Sequence, residues 1–265
     1  MMDVILLIIL ILAILGLLFL FLFRTRKRNI VVAPIPASYK TLLTGQVPFY
    51  QDLDDNGKQE FENRVQHFLA TTRITGVKTN VEDIDRVLIA ASAVIPIFNF
   101  AGWEYVTLHE VLLYPDAFDH EFQQEGTHRS VIGMVGTGAM NHVMILSQHE
   151  LRQAFMNKTG KTNTAIHEFV HLVDKTDGSI DGIPEFILEK KYILPWLELM
   201  QKEIGLILKD RSDINPYGAT NEAEFFAVVS EYFFERPKLL KEKHPELYEL
   251  LAEIFNSPEN KLPGY

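Results

Sequence analysis

The sequence predicts an α+β fold in which helices dominate, preceded by a single transmembrane helix. Three observations support this prediction. An unbroken apolar run begins at Val4, apolar residues at helical spacing recur in later stretches, and short β-rich runs separated by glycines lie among them. With 265 residues, 47% of them hydrophobic, the chain is long enough to bury a sizeable core.

The N-terminal segment predicts a membrane anchor. Residues 4–23 are all apolar or glycine, and a helix of that length spans about 30 Å, the thickness of a bilayer core. Asp3 precedes the run, and basic residues follow it: Arg24, Arg26, Lys27 and Arg28. A cleavable signal peptide would instead begin with basic residues. We therefore expect residues 1–28 to form an anchor and basic collar, with the rest of the chain in the cytoplasm.

Composition excludes several kinds of site and partner. The chain has no cysteine, which excludes disulfides and thiolate-bound metals and leaves His, Asp and Glu as the strong metal ligands. Its formal net charge is −10, and the chain after the basic collar is more acidic still. This charge argues against direct binding of nucleic acid.

The chain after the collar is predicted to form one domain, residues 29–265. Residues 29–55 hold three prolines and little periodic pattern, which predicts a linker and irregular lead-in. Residues 56–160 are expected to combine helices with a small sheet, and residues 161–265 to carry the helices of the candidate site described below. Helices are predicted at 57–70, 81–95 (ended by Pro96), 150–157, 163–175, 184–210 (broken near Pro195) and 221–234. Strands are predicted at 104–113, 131–135 and 142–146.

Two weaker motifs are given structural interpretations. Residues 52–57, DLDDNG, open like a calcium loop, but the twelfth position is Asn63 where a bidentate glutamate is required. We expect a capped helix N-terminus there. Residues 133–138, GMVGTG, lack the spacing of a dinucleotide-binding loop, and a hairpin turn accounts for them better.

Residues 163–174, NTAIHEFVHLVD, contain two histidines four positions apart with a glutamate directly after the first. Each helical residue turns 100°, so His167 and His171 share one edge with Glu168 beside them. The apolar residues give the helix an opposite face to bury: Ile166, Phe169, Val170 and Val173. Both imidazoles can then reach one zinc ion, with the glutamate beside the water that zinc activates. The alternative is two ordinary histidines, because chance produces this pattern in about one chain in forty of this composition.

A third protein ligand would distinguish a catalytic zinc site from a chance pair of histidines. Residues 221–234, NEAEFFAVVSEYFF, predict a helix with apolar residues all round its axis, which indicates burial on most sides. Glu224 and Glu231 share one face of this helix, and a buried carboxylate must be paired, hydrogen-bonded or metal-bound. Glu224 has the alternative of a capping box with Asn221, and Glu231 that of a salt bridge or a hydrogen bond to a ligand histidine. The spacing leaves both carboxylates open as the third ligand.

These segments resemble a known family. IHEFVHLVDKTDG and, downstream, YGATNEAEFFAVVSEYFFERP are similar to motifs of the Mlc titration factor A (MtfA) family of zinc-dependent peptidases. GWEYVTLHEVLLYP and HVMILS fit the same pattern, so the resemblance runs from about Leu43 to about Phe255. It implies a zincin-like domain of the gluzincin type, similar to the catalytic domain of anthrax lethal factor, with one Zn²⁺ as cofactor.

The resemblance also implies roles for individual residues. It assigns three zinc ligands: His167, His171 and Glu224. Glu168 becomes the catalytic base, and Glu231 is no longer a candidate ligand. Tyr217 is implied to point at the metal and assist catalysis, although its position alone suggests a turn or core aromatic. Asp174 matches an extended form of the histidine motif and is expected, like Glu231, to support the ligands without touching the metal.

The expected activity is hydrolysis of peptide bonds in a peptide or protein substrate. Glu168 accepts a proton from the zinc-activated water and passes it to the leaving amine, while Tyr217 hydrogen-bonds the oxyanion. The strand predicted at 142–146, if it lies at the sheet edge beside the cleft, would hold an extended peptide. Aminopeptidase and endopeptidase action are both left open.

A second function follows from the resemblance. It implies sequestration of a sugar-uptake transcriptional repressor, with peptidase activity secondary. Members of the family are soluble cytosolic proteins, whereas the anchor at residues 4–23 would hold this domain at the cytoplasmic face of a bacterial inner membrane by a single pass. A protease with its site among several membrane spans is disfavoured, because the sequence has one apolar run of that length.

Overall fold

A small sheet and a larger group of helices make up the part of the chain that the structure describes. The computed structural model describes residues 33–116, 133–135 and 142–256. Its helices are α1 (Ala37–Gln46), α2 (Pro48–Gln51), α3 (Asp55–Thr71), α4 (Asp83–Ile97), α5 (Gln148–Met156), α6 (Thr164–Asp174), α7 (Lys190–Ile207), α8 (Glu222–Glu235), α9 (Pro237–Lys243) and α10 (Pro245–Asn256). Its strands are β1 (Arg73–Gly76), β2 (Glu110–Tyr114), β3 (Gly133–Val135) and β4 (Val143–Ser147). The predicted helix-dominated α+β fold is confirmed.

The four described strands form one sheet in the order β1-β2-β4-β3. β1, β2 and β4 run parallel, and β3 pairs antiparallel with the outer side of β4. The condition under which residues 142–146 would hold an extended peptide, a place at the sheet edge, is therefore not met, because β4 lies between β2 and β3. Pairing of parallel strands joins residues far apart in the chain, such as Glu110 with Val143, and local sequence does not specify it.

The predicted strands differ in extent from the observed ones. Residues 104–109 form turns, in which the amides of Val106 and Leu108 donate to the carbonyls of Glu104 and Tyr105. Residues 133–135 form β3, which confirms the described part of the strand predicted at 131–135, and residues 136–138, where the hairpin turn was expected to continue, lie outside the described part. β1 was not predicted, because RITG is too short to show an alternating pattern.

The prediction of an irregular segment at residues 29–55 is wrong from residue 37 onward. α1 and α2 occupy most of it, and they bury Leu43, Val47 and Tyr50. Pro36 is the N-cap residue of α1 and Pro48 is the first residue of α2, positions where the missing proline N–H breaks no helical hydrogen bond. The prolines that suggested a linker therefore begin the helices.

Prolines elsewhere also interrupt the helices less than predicted. α7 runs through Pro195 without a break, although it begins at Lys190 and not at 184. α4 includes Pro96 as its penultimate residue.

α9 and α10, which follow the last predicted helix, were not predicted. The expected cap at residues 52–57 is confirmed, since the Asp54 side chain accepts a hydrogen bond from the Gly57 amide at 2.7 Å.

The core is centred on α6. This helix contacts α4 on one side and α8 on another, and every residue from Ala165 to Asp174 is buried. The ring of Phe169 lies 5.6 Å from that of Phe68 and 5.1 Å from that of Tyr105. α6 is therefore held on several sides by side chains from distant parts of the chain, which fixes the position of the histidines it carries.

Among residues 33–116, 133–135 and 142–256, no helix has both the length and the apolar character needed to span a membrane. The span predicted at residues 4–23 lies outside these described residues.

Candidate metal centre

α6 brings the two predicted ligand histidines together. Asn163 begins the helix, and its side chain accepts a hydrogen bond from the Ile166 amide at 3.2 Å. His167 and His171 then lie on successive turns, with their Nε2 atoms 3.1 Å apart. Both residues are 8% exposed, so they are not ordinary solvent-facing histidines.

α8 brings Glu224 to the same point. The Asn221 side chain caps this helix by accepting from the Glu224 amide at 2.9 Å, which is one of the two hydrogen bonds of the capping box considered as the alternative. The carboxylate of Glu224, however, is directed at the histidines. Its Oε2 atom lies 2.9 Å from Nε2 of His167 and 3.5 Å from Nε2 of His171. Asn221 can therefore cap the start of α8 while Glu224, three residues later, serves as a candidate metal ligand.

The spacing of these three atoms fits a tetrahedral metal ion. With ligand bonds of about 2.0–2.1 Å, two corners of a zinc tetrahedron are about 3.3 Å apart. The observed separations among the three atoms are 2.9, 3.1 and 3.5 Å. His167, His171 and Glu224 can thus hold one ion with little movement, and two nitrogens with one carboxylate oxygen is a common donor set for zinc.

Glu231 contacts the other nitrogen of His167. Its Oε1 atom lies 2.7 Å from Nδ1 of His167, and its Oε2 atom accepts from the Asn163 backbone amide at 2.5 Å. The two glutamates, open alternatives in the sequence, therefore occupy opposite sides of one imidazole. A carboxylate at Nδ1 orients the ring and keeps a proton on that nitrogen, so that Nε2 is the atom available to a metal.

The cluster has strongly perturbed acid–base properties. Burial lowers the pKa of His167, but hydrogen bonds to Glu224 and Glu231 outweigh it and raise that pKa to about 10. Burial raises the pKa of Glu224, but hydrogen bonds from His167 and His171 outweigh it and lower that pKa to about 2. Both shifts favour a charged imidazolium–carboxylate pair. A cation bound among these atoms would replace the proton on Nε2 of His167.

Glu168 lies in the same buried region. It is 6% exposed, and burial raises its pKa although the nearby His167 and His171 lower it. A carboxyl group with a raised pKa can hold a proton closer to neutral pH, which suits a group that both accepts and donates one.

Tyr217 lies at the exposed side of the cluster. It belongs to a 3₁₀ helix, Pro216–Ala219, whose first turn is capped by the Asn215 side chain. Its ring centre is 6.0 Å from that of His167, and the residue is 53% exposed. Burial raises the pKa of its phenol, with the charges of Glu224 and Glu168 adding to the shift. The hydroxyl therefore stays protonated and able to donate a hydrogen bond.

Asp174 supports the loop that follows α6. Its Oδ2 atom accepts from the Gly182 amide at 2.8 Å, and burial raises its pKa to about 6. Within the described residues its Oδ1 atom and Nδ1 of His171 are both buried without a hydrogen-bond partner. Asp174 thus differs from Glu231, which contacts a ligand histidine directly.

Three residues of this region were missed in the sequence. Asn163 and Glu235 contact each other through Nδ2 and Oε1 at 2.8 Å, and Gly182 lies against the first turn of α8. Asn163 could have been recognised as a residue type that caps helices, directly before the histidine helix. Nothing in the sequence marks Glu235 or Gly182, because their neighbours are distant in the chain.

Comparison with known proteins agrees with this geometry. A family model described as glucose-regulated metallo-peptidase M90 matches residues 22–256. The chain is 29% identical to the uncharacterized protein slr2042 of Synechocystis sp., over 87% of each chain. It is 28% identical to Mlc titration factor A of Pectobacterium atrosepticum, over 79% of this chain and 82% of that one. With Mlc titration factor A of Cronobacter sakazakii the identity is 27%, over 86% and 89%.

Proposed function

The chain belongs to the glucose-regulated metallo-peptidase M90 family, with Mlc titration factor A proteins among its relatives, and from this premise we propose that it is a zinc-dependent peptidase. Its reaction would be hydrolysis of peptide bonds, with Glu168 as the base. The observation that carries the proposal is the meeting of three ligand atoms, from His167, His171 and Glu224, at the separations that a tetrahedral ion requires.

Each residue of the cluster has a distinct task in this reaction. Zinc, when bound, polarises the scissile carbonyl and makes a water more acidic. Glu168 accepts the proton of that water and passes it to the leaving amine, which its buried position and raised pKa favour. Glu231 holds the ring of His167 so that Nε2 faces the ion.

Tyr217 would act on the substrate side of the site. Its partial exposure and its position 6.0 Å from the His167 ring centre leave the hydroxyl accessible to a bound peptide. A hydroxyl that remains protonated can donate a hydrogen bond to the oxyanion that forms as water attacks the carbonyl.

Substitution of Glu168 tests the proposed reaction. Glu168→Gln keeps the size of the side chain but removes the base, so we expect hydrolysis of quenched fluorescent peptides to fall by about 10²–10⁴-fold. Metal content, measured by plasma emission on the purified protein, should equal that of wild type. Glu185→Gln, at an exposed position in the loop after α6, serves as the control. Wild-type turnover in Glu168→Gln would refute this assignment.

The identity of the metal needs its own measurement. Two imidazoles and one carboxylate favour zinc over magnesium or calcium, which prefer oxygen ligands. We expect about one zinc per chain in wild type and far less after His171→Ala. Stoichiometric binding of another metal, with zinc excluded under competition, would contradict the choice of zinc.

A second candidate function is binding of a transcriptional repressor. The name of the relatives, Mlc titration factor A, supports it, since titration describes removal of a partner by binding. Here the Glu168→Gln variant separates the two functions. If it still binds a candidate repressor in a pull-down, binding does not depend on peptide hydrolysis. If no repressor binds while hydrolysis is intact, the second function is excluded.

We further propose that residues 4–23 anchor the domain at the cytoplasmic face of a bacterial inner membrane. The apolar run and the basic residues that follow it support this arrangement. Full-length protein should stay with membranes after a carbonate wash, and a chain lacking residues 1–28 should not. Digestion of the domain by protease added outside intact spheroplasts would contradict the orientation.

A gluzincin-like fold, of the kind in the anthrax lethal factor catalytic domain, is proposed for the same chain. Two histidines on one helix with a glutamate from a later helix support it. A crystal structure tests it by superposition on that domain. Failure of the two ligand-bearing helices to superpose together would exclude it.

A further inference from the structure

Two carboxylates of α8 hold one residue at the start of α6. Glu231 and Glu235 lie one helical turn apart, so they project from the same face of α8. Glu231 Oε2 accepts from the backbone amide of Asn163 at 2.5 Å, and Glu235 Oε1 accepts from its side-chain amide at 2.8 Å. Asn163 itself is 0% exposed. The residue that begins the histidine helix is therefore fixed by α8 through both its backbone and its side chain.

These contacts determine the position of Glu231. One of its carboxylate oxygens receives the Asn163 amide and the other faces Nδ1 of His167 at 2.7 Å. Rotation of the Glu231 side chain would break both contacts. The direction of the Asn163 amide thus sets the direction of the oxygen that orients His167.

Glu235 in turn restrains Asn163. Apart from the bond to Glu235, the Asn163 side chain makes the longer capping contact with the Ile166 amide, at 3.2 Å. The Asn163 backbone amide and the His167 ring contact the Glu231 carboxylate, and the Asn163 side-chain amide contacts the Glu235 carboxylate. Glu231 is buried and Glu235 is half-buried, and a carboxylate removed from water is costly without its hydrogen-bond partners, which favours the Asn163–Glu235 contact.

We propose that Asn163 and Glu235 are positioning residues for His167, acting through Glu231. The chain of contacts runs from Glu235 to the Asn163 side chain, from the Asn163 backbone to Glu231, and from Glu231 to Nδ1 of His167. Its effect on metal affinity rests on the proposed function, whereas its effect on the Nδ1 proton is a property of the metal-free chain.

The pKa of Glu235 is raised to about 7. Burial raises it most, the hydrogen bond from Asn163 lowers it, and the charge of Glu231 raises it again. Two neighbouring carboxylates that are removed from water, one fully and one partly, avoid carrying full charge together. Glu235 in its neutral form still accepts the Asn163 hydrogen bond through Oε1, so the contact persists in both forms.

Variants that keep the helix cap but lose the bridge test the proposal. Asn163→Ser retains a good capping residue without the amide that reaches Glu235. Glu235→Ala removes the bridge from the other end. Glu235→Gln keeps a carbonyl oxygen that can accept from Asn163 and is the matched control. Circular dichroism checks the fold of each variant, and Glu235→Ala decides the question alone if Asn163→Ser does not fold.

The first measurement is proton NMR of the metal-free protein. The Nδ1–H of His167, held against a carboxylate, should give a downfield signal that is protected from exchange with water, assigned by its loss in His167→Gln. We expect exchange at least tenfold faster in Asn163→Ser and Glu235→Ala, and wild-type exchange in Glu235→Gln. Because no metal is present, this result stands whether or not the chain proves to be a zinc peptidase.

The second measurement is zinc affinity by competition with a chromophoric chelator. Loss of a contact that orients a ligand typically weakens metal binding by about 10–100-fold, and we expect that range for Asn163→Ser and Glu235→Ala but not for Glu235→Gln. If both variants fold and keep the wild-type Nδ1–H exchange rate, Asn163 is only a helix cap and the proposal is overturned. Altered exchange with unchanged affinity would overturn the link to metal binding.

Discussion

The backbone of Gly182 lies directly against the carbonyl group of Glu222, the first residue of α8. A Cβ at position 182 would come within 2.2 Å of the Glu222 oxygen. The Gly182 amide donates to Asp174 at the end of α6, and its carbonyl accepts from the Trp196 indole at 2.7 Å. This glycine therefore sets the distance between the helix that carries the histidines and the helix end that carries Glu224.

Substitution of Gly182 should displace Glu224. We expect Gly182→Ala to weaken zinc binding at least tenfold and to lower the free energy of unfolding by more than about 2 kcal/mol, because the added carbon overlaps backbone that cannot rotate away. Chelator competition and urea unfolding measure the two effects.

Gly102→Ala is the matched control for this prediction. Gly102 has a φ of +73°, close to the +77° of Gly182, but a Cβ there meets nothing within 4 Å. It should show only the backbone cost of a left-handed alanine, about 1–2 kcal/mol, and normal zinc affinity. Equal effects of the two substitutions would show that the contact with Glu222 is unimportant.

Metal binding should couple to stability through Glu224. A ligand present at 100 times its Kd stabilises the folded state by about 2.7 kcal/mol, so zinc should raise the Tm of wild type. In Glu224→Gln, which removes the charged ligand from α8, most of this increase should be lost. Glu222→Gln, an exposed position on the same turn, should retain it. Thermal scans with and without zinc decide between these outcomes.

Tyr217 should influence turnover without influencing metal binding. Removal of one oxyanion donor commonly lowers kcat by about 10²–10³-fold, and we expect Tyr217→Phe to show a loss of that order with unchanged zinc content. Tyr192→Phe, on α7, should leave kcat unaltered. Steady-state kinetics on a peptide substrate provide the measurement, and an unchanged kcat in Tyr217→Phe would remove this residue from the mechanism.

His244 lies between the carboxylates of Asp213 and Glu203. Nε2 of its ring lies 2.8 Å from an oxygen of Asp213, and Nδ1 lies 3.1 Å from an oxygen of Glu203 on α7. Hydrogen bonding to Glu203 raises the pKa of His244, burial lowers it, and Asp213 raises it further, with a net increase. Because its folded-state pKa is raised, His244 stabilises the fold fully below its unfolded value of about 6.5 and loses that contribution as pH rises through the folded-state pKa.

Replacement of His244 should therefore cost stability in a pH-dependent way. We expect His244→Gln to lower the free energy of unfolding by about 2 kcal/mol at pH 6, the usual range for a hydrogen bond to a charged group. The difference from wild type should shrink as the pH rises through the folded-state pKa of His244. His149→Gln, at an exposed histidine, provides the comparison in urea unfolding. A difference that stays constant across the whole alkaline range in which the protein is folded would mean that the charge of His244 is not involved.

The helices of the site were predicted closely, whereas the sheet was not. α6 and α8 begin and end within one residue of the predicted bounds, because capping residues and apolar periodicity act within a few positions of each other. β4 was placed correctly along the chain, but it does not lie at the sheet edge, since it pairs with both β2 and β3, and its partner residues Glu110 and Val143 are 33 positions apart in the chain. The prediction of a linker around Pro36 and Pro48 failed for a related reason. A proline marks a helix start as readily as a linker, and only packing of Leu43 and Val47 decides which.

The sequence by itself determined that His167 and His171 share one helical edge with Glu168 beside them. That relation depends only on the pitch of a helix, which is a local property. Only the tertiary structure decided that Glu224 and Glu231 take opposite nitrogens of His167, and that Asn163, Glu235 and Gly182 hold the two helices in place. These contacts join residues more than fifty positions apart, or backbone to backbone, and they arise from how the helices pack and not from the order of residues within either one.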